Sequence, residues 1–244
     1  MCTNRFKLNA SKTLVMLLGS AQRLARINNL DVIMDEIKLT ETKGNAESLL
    51  GIKIQNNLKW SMHVEILSSK LKQRLAGLEK IRYVMGCATK NNLVQGIFNS
   101  VLCYCLPLFG GCGQQDLDLL QSQQNKTARL VLNYPPRSNR DYTFDAVKWL
   151  TVRQLIAYHT LLTVYRIRTS KRPEYLYRLL SRDNHNGHII VKNVQLGLYR
   201  SSFVFRGAVL WNKLPRSMRH NCKETSFKSV LNKWIRENVH RFED

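Results

Sequence analysis

The sequence predicts an α+β fold, in which a small antiparallel strand unit at residues 1–60 precedes a mainly α-helical body. Short apolar runs separated by turn residues occupy residues 12–55, and such runs are typical of strands. From Ser61 onward the apolar residues recur at every third or fourth position, which is typical of amphipathic helices. We therefore predict a boundary near residue 60 and divide the helical body into residues 61–110 and 111–244.

The N-terminal unit contains three predicted strand segments. Residues 14–18 form an apolar run that a Gly-Ser turn signal closes. Residues 33–39 predict a hairpin with its turn at Asp35-Glu36. Residues 49–54 predict a third strand, and Gly51 within it indicates a bulge or a close backbone approach.

Three helices are predicted in the first half of the helical body. The first begins after Ser61 as N-cap and stops at Gly86. Its apolar stripe consists of Val64, Leu67, Leu71, Leu75, Leu78 and Ile81. A second helix is predicted from Thr89, and a third from about Gln114 to Leu132. Their predicted inward residues are Leu93, Ile97, Val101 and Leu102 in the second, and Leu117, Leu120, Ala128 and Val131 in the third.

Further helices are predicted toward the C-terminus. Residues 151–154 have the form of a capping box, so a helix is expected to start there. Pro173 suits the first turn of another short helix. Residues 188–191 indicate a short strand, and residues 202–211 a helix that Leu-Pro ends. A final amphipathic helix is predicted to bury Phe227, Val230, Leu231, Trp234 and Ile235.

The charge of the chain predicts a polyanionic partner. There are 38 Lys and Arg against 17 Asp and Glu, a formal net charge of +21. Residues 123–244 hold 23 of the basic residues and only 8 of the acidic ones. Because such self-repulsion destabilises a compact state, we expect RNA or DNA as the partner, with an anionic membrane surface as the alternative. The basic residues spread over many helices instead of forming one basic amphipathic stripe, which makes the membrane surface the weaker alternative.

The sequence also predicts where the protein resides. The first residues carry no apolar signal segment, and the six cysteines form no paired framework. The longest apolar run, residues 101–109, is too short to cross a bilayer and contains a proline. We therefore expect an intracellular protein of the nucleus or cytoplasm, neither secreted nor membrane-embedded, with free thiols.

The residues favour no independent catalytic site. Nucleotidyl transfer needs clustered carboxylates that hold two metal ions, and the sequence contains no Asp-Asp pair. Asp116 and Asp118 fall on different sides of a predicted helix. Cys103 and Cys105 are predicted to lie on a helix that turns their thiols apart, and buried free thiols are the expectation for the cysteines. His185 with His188 would be a thin metal site. We predict no metal site, no cofactor in this chain and no small-molecule substrate.

Basic residues interleaved with aromatic ones are the remaining candidates. Guanidinium groups bind phosphates in a bidentate manner, and aromatic faces accept unstacked bases. We predict phosphate contacts because these basic residues are clustered and are expected to lack carboxylate partners. They are Arg137, Arg140, Arg166, Arg168, Lys171 and Arg172. The alternative is a solvated surface, and for Tyr158, Trp149 and Trp211 we expect core packing.

Five segments then follow one another along the chain. They are LNASKT at residues 8–13, LLGI with LKW and His63 within residues 49–63, QQNKTAR at residues 123–129, WLTV at residues 149–152 and RGAVLWNKLP at residues 206–215. In that order they resemble palm motif D, motif E with the entry to the thumb, the "LQN-aaR" helix, the "WLpv" segment and the "RGa-lWN-LP" signature of jockey-like, LINE-type (non-LTR) retrotransposon reverse transcriptases.

The resemblance implies a role for each part of the chain. Lys12 matches the motif D lysine, which is thought to protonate the pyrophosphate leaving group, and Leu50-Gly51 match the primer grip. Residues 1–60 would be a palm remnant and residues 61–110 a thumb that tracks a template–primer duplex. The thumb-like basic residues are Lys70, Lys72 and Arg74. Residues 111–244 would be the basic post-thumb region.

The resemblance also implies what this chain does not do. The catalytic aspartates of the family lie in motifs upstream of the matched segments, and Leu49 stands where the family usually has Tyr. We expect a truncated reverse transcriptase fragment that binds RNA or RNA–DNA duplex without polymerising, with Mg²⁺ needed only by the complete polymerase. The alternatives are a part of an active RNA-directed DNA polymerase whose aspartates lie upstream or on another chain, and a pseudogene product without function.

Overall fold

The computed structural model describes residues 9, 12–27, 31–34, 37–42, 44–192, 194–219 and 223–238. The chain divides into two compact units, Met1–His63 and Val64–Asp244. Among the described residues, every paired strand lies in the first unit, in three sheets of two strands each, and the second unit is built from helices. The predicted α+β class is therefore confirmed.

The N-terminal unit consists of short strands and one short helix. They are β1 (Leu14–Val15), α1 (Ala21–Leu24), β2 (Ile33–Met34), β3 (Ile37–Lys38), β4 (Thr40–Glu41), β5 (Ala46–Leu49) and β6 (Ile52–Gln55). The predicted hairpin is confirmed, because β2 and β3 pair in antiparallel fashion; its turn, Asp35-Glu36, lies outside the described residues. The expectation of a purely antiparallel unit is wrong, since β1 and β4 run parallel. A parallel pair needs a long connection, which here contains α1 and the β2–β3 hairpin.

Strands β5 and β6 form a regular hairpin around Leu50 and Gly51. Ala46 pairs with Gln55, and the turn residues have φ angles of 49° and 82°. Two left-handed residues match the two-residue turn that fits the twist of a hairpin. The predicted single strand over residues 49–54 is therefore wrong, and Gly51 is a turn residue instead of a bulge. Leu50 is 83% exposed at the tip of the hairpin.

Helix α2 (Ser61–Glu79) begins where predicted but is capped differently. The side-chain oxygen of Gln55 accepts hydrogen bonds from the Ser61 hydroxyl at 3.2 Å and from the Met62 backbone N–H at 3.1 Å. This carboxamide supplies the acceptor that an N-cap side chain normally supplies. The predicted stop at Gly86 is also wrong, because α2 ends at Glu79 and Gly86 is the N-cap of the next helix. The predicted stripe from Val64 to Leu78 is buried.

The remaining helices follow closely along the chain. They are α3 (Cys87–Val94), a π-helical turn (Gln95–Asn99), α4 (Ser100–Leu102), α5 (Leu106–Phe109), α6 (Gln114–Leu132), α7 (Arg140–Val147), α8 (Val152–Ser170), α9 (Glu174–Leu180), α10 (Gly197–Arg200), α11 (Phe203–Lys213), α12 (Arg216–Arg219) and α13 (Glu224–Glu237).

The buried face of the α3–α4 segment is one residue away from the prediction. Val94, Phe98 and Leu102 are fully buried; Leu102 was among the predicted inward residues, whereas the other three, Leu93, Ile97 and Val101, are half-buried. Both series are apolar with a spacing of four, so the pattern alone cannot choose between them. The face that packs inward also carries Lys90, which is 1% exposed.

Helix α8 is the central element of the helical unit. It packs against α5, α6, α9, α11 and α13, and its core residues include Leu161 and Val164. Its start confirms the predicted capping box, because the Thr151 side chain accepts from the Gln154 N–H and the Gln154 side chain accepts from the Thr151 N–H. Helix α6 confirms its predicted bounds of Gln114 to Leu132.

The C-terminal elements largely follow their patterns. Ser202 caps α11 by accepting from the Phe205 N–H at 3.3 Å. Four of the five predicted inward residues of α13 are buried, whereas Val230 is 44% exposed. Residues 188–191 form no strand; the structure has a single antiparallel bridge between Asp183 and Ile189. Within the described ranges, no helix is both long and apolar enough to cross a membrane.

Candidate nucleic-acid interface

The N-terminal site residues suggested by the resemblance are exposed. Lys12 is exposed in a single helical turn, where its backbone N–H donates to the Asn9 carbonyl at 3.1 Å. Leu8, Ala10 and Ser11 of the same segment lie outside the described residues. Leu50 and Gly51 form the hairpin tip described above.

The three candidate residues of α2 divide into two groups. Lys70 and Lys72 are exposed and remain available to a polyanion. Arg74 is half-buried, and its Nη1 donates to the carbonyl of Ile97 at 2.6 Å. That carbonyl belongs to the π-helical turn, so Arg74 joins α2 to the neighbouring segment and is not a simple surface cation.

The clustered residues were expected to have no carboxylate partner, and this expectation is wrong for Arg140, Arg166 and Arg168. Both Nε and Nη2 of Arg166 donate to one oxygen of Glu224, at 3.0 and 2.8 Å. Arg168 forms a two-bond pair with Asp183, at 3.0 and 2.7 Å, and also lies 5.2 Å from the centre of the Trp211 ring. The carboxylates lie 58 and 15 positions away in the sequence, so a count of nearby charges could not find them.

The other candidates lie at exposed turns. Lys171 has a φ of 56° and ends α8, and the backbone N–H of Arg172 donates to the Ser170 hydroxyl at 3.2 Å. Arg137 is exposed after the Pro-Pro pair. Arg140 begins α7 and forms an ion pair with the adjacent Asp141 at 2.9 Å. None of these four side chains is buried.

A cleft of about 640 Å³ brings together basic residues that local patterns did not select. We call it the α2–α6 cleft. The end of α2, the second half of α6 and the loop that follows α6 form its walls. Its lining residues are Glu79, Arg82, Lys126, Arg129, Leu130, Asn133, Tyr134, Pro135 and Pro136. Three of them are cations and one is a carboxylate, so the lining favours an anion.

The three cations of the α2–α6 cleft are held by different contacts. Lys126 and Arg129 are three positions apart on α6, and such residues share one helix face. Nη2 of Arg129 donates to the Ser138 carbonyl at 3.2 Å. The guanidinium carbon of Arg82 lies 5.1 Å from the centre of the Tyr83 ring. The Nε atoms of Arg82 and Arg129 are buried without an acceptor among the described residues, so both guanidinium groups retain unused hydrogen-bonding capacity.

A buried lysine lies behind the wall of this cleft. Lys90 is 1% exposed, and its Nζ donates to Oδ1 of Asn133 at 2.8 Å and to the Leu130 carbonyl at 3.4 Å. Both acceptors are neutral and both residues line the cleft. Lys90 therefore satisfies acceptors at the carbonyl end of α6 and fixes the position of Asn133 in the cleft wall.

Two tyrosines form an aromatic platform beside these charges. The rings of Tyr134 and Tyr142 are stacked, with centres 6.1 Å apart and an interplanar angle of 13°. Tyr142 is 67% exposed. The hydrogen bond with Tyr142 raises the pKa of Tyr134 above its ordinary value. Tyr83, beside Arg82, is 83% exposed.

Most of this site is not evident from the sequence. Lys126 and Arg129 lie on α6, whereas Arg82 lies in the turn after α2, and these segments meet only in the folded chain. The available signal was the spacing of three between Lys126 and Arg129 within a segment already singled out for its resemblance. Lys90 carried no signal, because a lysine on a helix is usually solvated.

The RGAVLWNKLP segment at residues 206–215 has a packing role. Gly207 faces α8, and a Cβ built on it would lie 2.8 Å from a methyl of Val164. The side chain of Asn212 bonds both the N–H and the carbonyl of Ile189, at 2.8 and 2.9 Å. Trp211 is 2% exposed, which confirms the expectation of core packing. Trp149 is likewise buried, and Tyr158 is half-buried against the core.

The four described cysteines are free thiols in two environments. Cys87 and Cys105 are exposed, so the expectation of buried thiols is wrong for them. Cys105 lies in a left-handed turn after α4, where the sequence had predicted a helix. Burial raises the pKa of Cys103 to about 11 and that of Cys112 to about 12. Cys2 and Cys222 lie outside the described residues.

No arrangement within the described part of the chain resembles a metal site. Groups of three or more His, Cys, Asp or Glu that could hold an ion are absent from it. Comparisons with known protein families, curated proteins and solved structures found no match for this chain. The α2–α6 cleft is the candidate site because three cations and Tyr134 line it.

Proposed function

We propose that this chain is a fragment of a LINE-type non-LTR retrotransposon reverse transcriptase, and that it binds RNA or DNA without polymerising on its own. The α2–α6 cleft is the observation that carries the binding proposal, because Arg82, Lys126 and Arg129 line it and the buried Lys90 lies behind it. The net charge of +21 supports the same partner. The nucleus or cytoplasm, where RNA and DNA occur, is the proposed location.

The family assignment rests on the five ordered sequence segments. In this proposal, residues 1–60 are a palm remnant, residues 61–110 correspond to the thumb and residues 111–244 to the post-thumb region. The exposed tip of the β5–β6 hairpin at Leu50-Gly51 supports the primer-grip reading, because a turn in that position can approach a strand end. Mg²⁺ belongs to the complete polymerase in this proposal.

Titration of labelled RNA and RNA–DNA duplex at several salt concentrations tests the binding proposal. We expect affinity to fall steeply with salt, and the slope to become shallower by about one for each phosphate contact removed. Lys126→Gln and Arg82→Gln should each produce that change. Arg178→Gln removes the same charge from an exposed position on α9 and serves as the control. A flat salt response of the unaltered chain contradicts the proposal.

Primer extension by the purified chain tests the second half of the proposal. Incorporation should be absent, because the chain contains no Asp-Asp pair that could hold the two metal ions of nucleotidyl transfer. Incorporation that Lys12→Ala abolishes would instead favour an active polymerase subunit.

A further inference from the structure

We infer that the α2–α6 cleft takes an unpaired nucleic-acid strand in preference to a duplex. This inference rests on the proposed function and narrows its ligand to single-stranded RNA or DNA. Three observations support the inference: the aromatic platform, the arrangement of the cations and the hydrogen bonds that hold the loop carrying Tyr134.

The aromatic platform distinguishes unpaired from paired bases. The ring of Tyr142 stacks on Tyr134 and the residue is 67% exposed, so a base can extend the stack. Bases within a duplex are already stacked on their neighbours and expose only their edges, whereas an unpaired base offers its whole face. The exposed ring of Tyr142 therefore contributes stacking energy when a single strand binds and contributes none when a duplex binds.

The cations lie where the backbone of such a strand would run. Lys126 and Arg129 share one face of α6, and Arg82 lies in the turn after α2 on the other wall. At about 640 Å³ the cleft has the size of a small-ligand site, and it admits a nucleotide or two instead of a duplex segment. Glu79 is the one carboxylate in the lining, and it lies at the α2 wall, opposite Lys126 and Arg129 on α6.

The loop that carries Tyr134 is held by two hydrogen bonds to its backbone carbonyls. The hydroxyl of Ser138 donates to the Pro135 carbonyl at 2.7 Å, and Arg129 donates to the Ser138 carbonyl at 3.2 Å. The Pro135-Pro136 pair restricts the backbone further. A platform that is held in place loses little entropy on binding, which strengthens the stacking contribution.

Fluorescence anisotropy with four labelled probes of one sequence tests the inference: single-stranded RNA, single-stranded DNA, duplex DNA and the RNA–DNA hybrid. We expect both single strands to bind about tenfold more tightly than either duplex. Tyr142→Leu should weaken single-strand binding about tenfold and leave duplex binding unchanged, and Tyr142→Phe should retain the preference. Tyr175→Leu, at another tyrosine that is 67% exposed, serves as the matched control.

The outcomes separate this inference from the proposed function. If the duplexes bind as tightly as the single strands, and Tyr142→Leu changes neither, the single-strand inference fails. The proposed function still stands in that case, provided that Lys126→Gln weakens binding. If none of the four probes binds, both fail.

Discussion

Arg206 and Pro107 are 99 positions apart in the sequence, yet Nη2 of Arg206 donates to the Pro107 carbonyl at 2.6 Å. Nε of the same side chain donates to the Ser201 carbonyl at 3.0 Å. Burial lowers the pKa of Arg206 to about 10, which leaves the group charged at neutral pH. Gly111 makes room for this arrangement, because a Cβ on it would lie 2.1 Å from the Ser201 carbonyl oxygen. Arg206 therefore links α5 to the turn before α11.

Replacing Arg206 should destabilise the helical unit. Arg206→Gln removes two charge-assisted hydrogen bonds and leaves carbonyl groups without their donor, so the free energy of unfolding should fall by roughly 2–4 kcal/mol. Urea denaturation followed by circular dichroism measures this. Arg200→Gln, which removes an exposed arginine bonded to the Val194 carbonyl, should cost less than about 1 kcal/mol. Equal losses in the two variants would contradict the role assigned to Arg206.

Two glycines in helices should respond to alanine in opposite directions. Gly207→Ala places a methyl 2.8 Å from Val164 in the closely packed α8–α11 interface, so we expect a loss of roughly 1–3 kcal/mol. Gly77→Ala, in α2, meets nothing within 4 Å and should raise stability by about 0.5–1 kcal/mol through helix propensity. The melting temperatures of the two variants, compared with that of the unaltered chain, test both expectations. A stabilising Gly207→Ala would mean that α8 and α11 do not approach as described.

The two arginines near the end of α8 should differ in their effect on stability. The side chains of Arg168 and Asp183 are 21% and 32% exposed, and Arg168 also packs over Trp211. Arg168→Gln should therefore cost roughly 1–3 kcal/mol. Arg166 and Glu224 are 52% and 42% exposed, so Arg166→Gln should cost less than about 1 kcal/mol. If Arg168→Gln instead weakens RNA binding and leaves stability intact, the structural role is wrong.

Stability should fall as the pH drops below 6.5, in part because of His159. Burial is the main cause that lowers the pKa of His159 from its ordinary value of 6.5, and Arg166 adds to the effect. The unfolded chain therefore binds the proton first, and folding loses stability as the pH falls from 6.5 through the lower folded value. His159→Gln should make the decline between pH 7.5 and 5 shallower, as measured by urea midpoints. An unchanged pH dependence would contradict this assignment.

Glu224 affects folding stability in a more acidic pH range than His159, so the two residues can be compared. Hydrogen bonds from Lys228 and then Arg166 lower its pKa from the ordinary 4.5. The stabilisation is present above pH 4.5 and is lost as the pH falls through the lower folded value. Glu224→Gln should therefore alter the pH profile only in the more acidic range, which separates it from His159→Gln.

Sequence patterns correctly predicted those elements that are defined by a few neighbouring residues. The capping box at Thr151 and the bounds of α6 are examples, because caps and helical periodicity are properties of neighbouring residues. The same patterns failed where two series of residues on one helix were equally apolar, as in the α3–α4 segment. They also failed at Ser61, since the capping oxygen comes from Gln55.

The residues of the candidate site were harder to predict from the sequence than the helices, because their partners are set by the tertiary structure. Arg166 and Arg168 satisfied the sequence criteria for phosphate contacts, yet each is paired with a carboxylate in the folded chain. Arg82 and Lys126 stood out less in the sequence but line the α2–α6 cleft.

By itself, the sequence determined the helical periodicity, the α+β class and the excess of positive charge, because these follow from residue types and short-range spacing. Only the tertiary structure decided which cations are neutralised and which line a cleft. The physical reason is that ion pairing depends on distances of a few ångströms between groups that can be 58 positions apart, as for Arg166 and Glu224. Lys90 is the clearest case, since a lysine on an apparently ordinary helix is buried where α3 packs against α6.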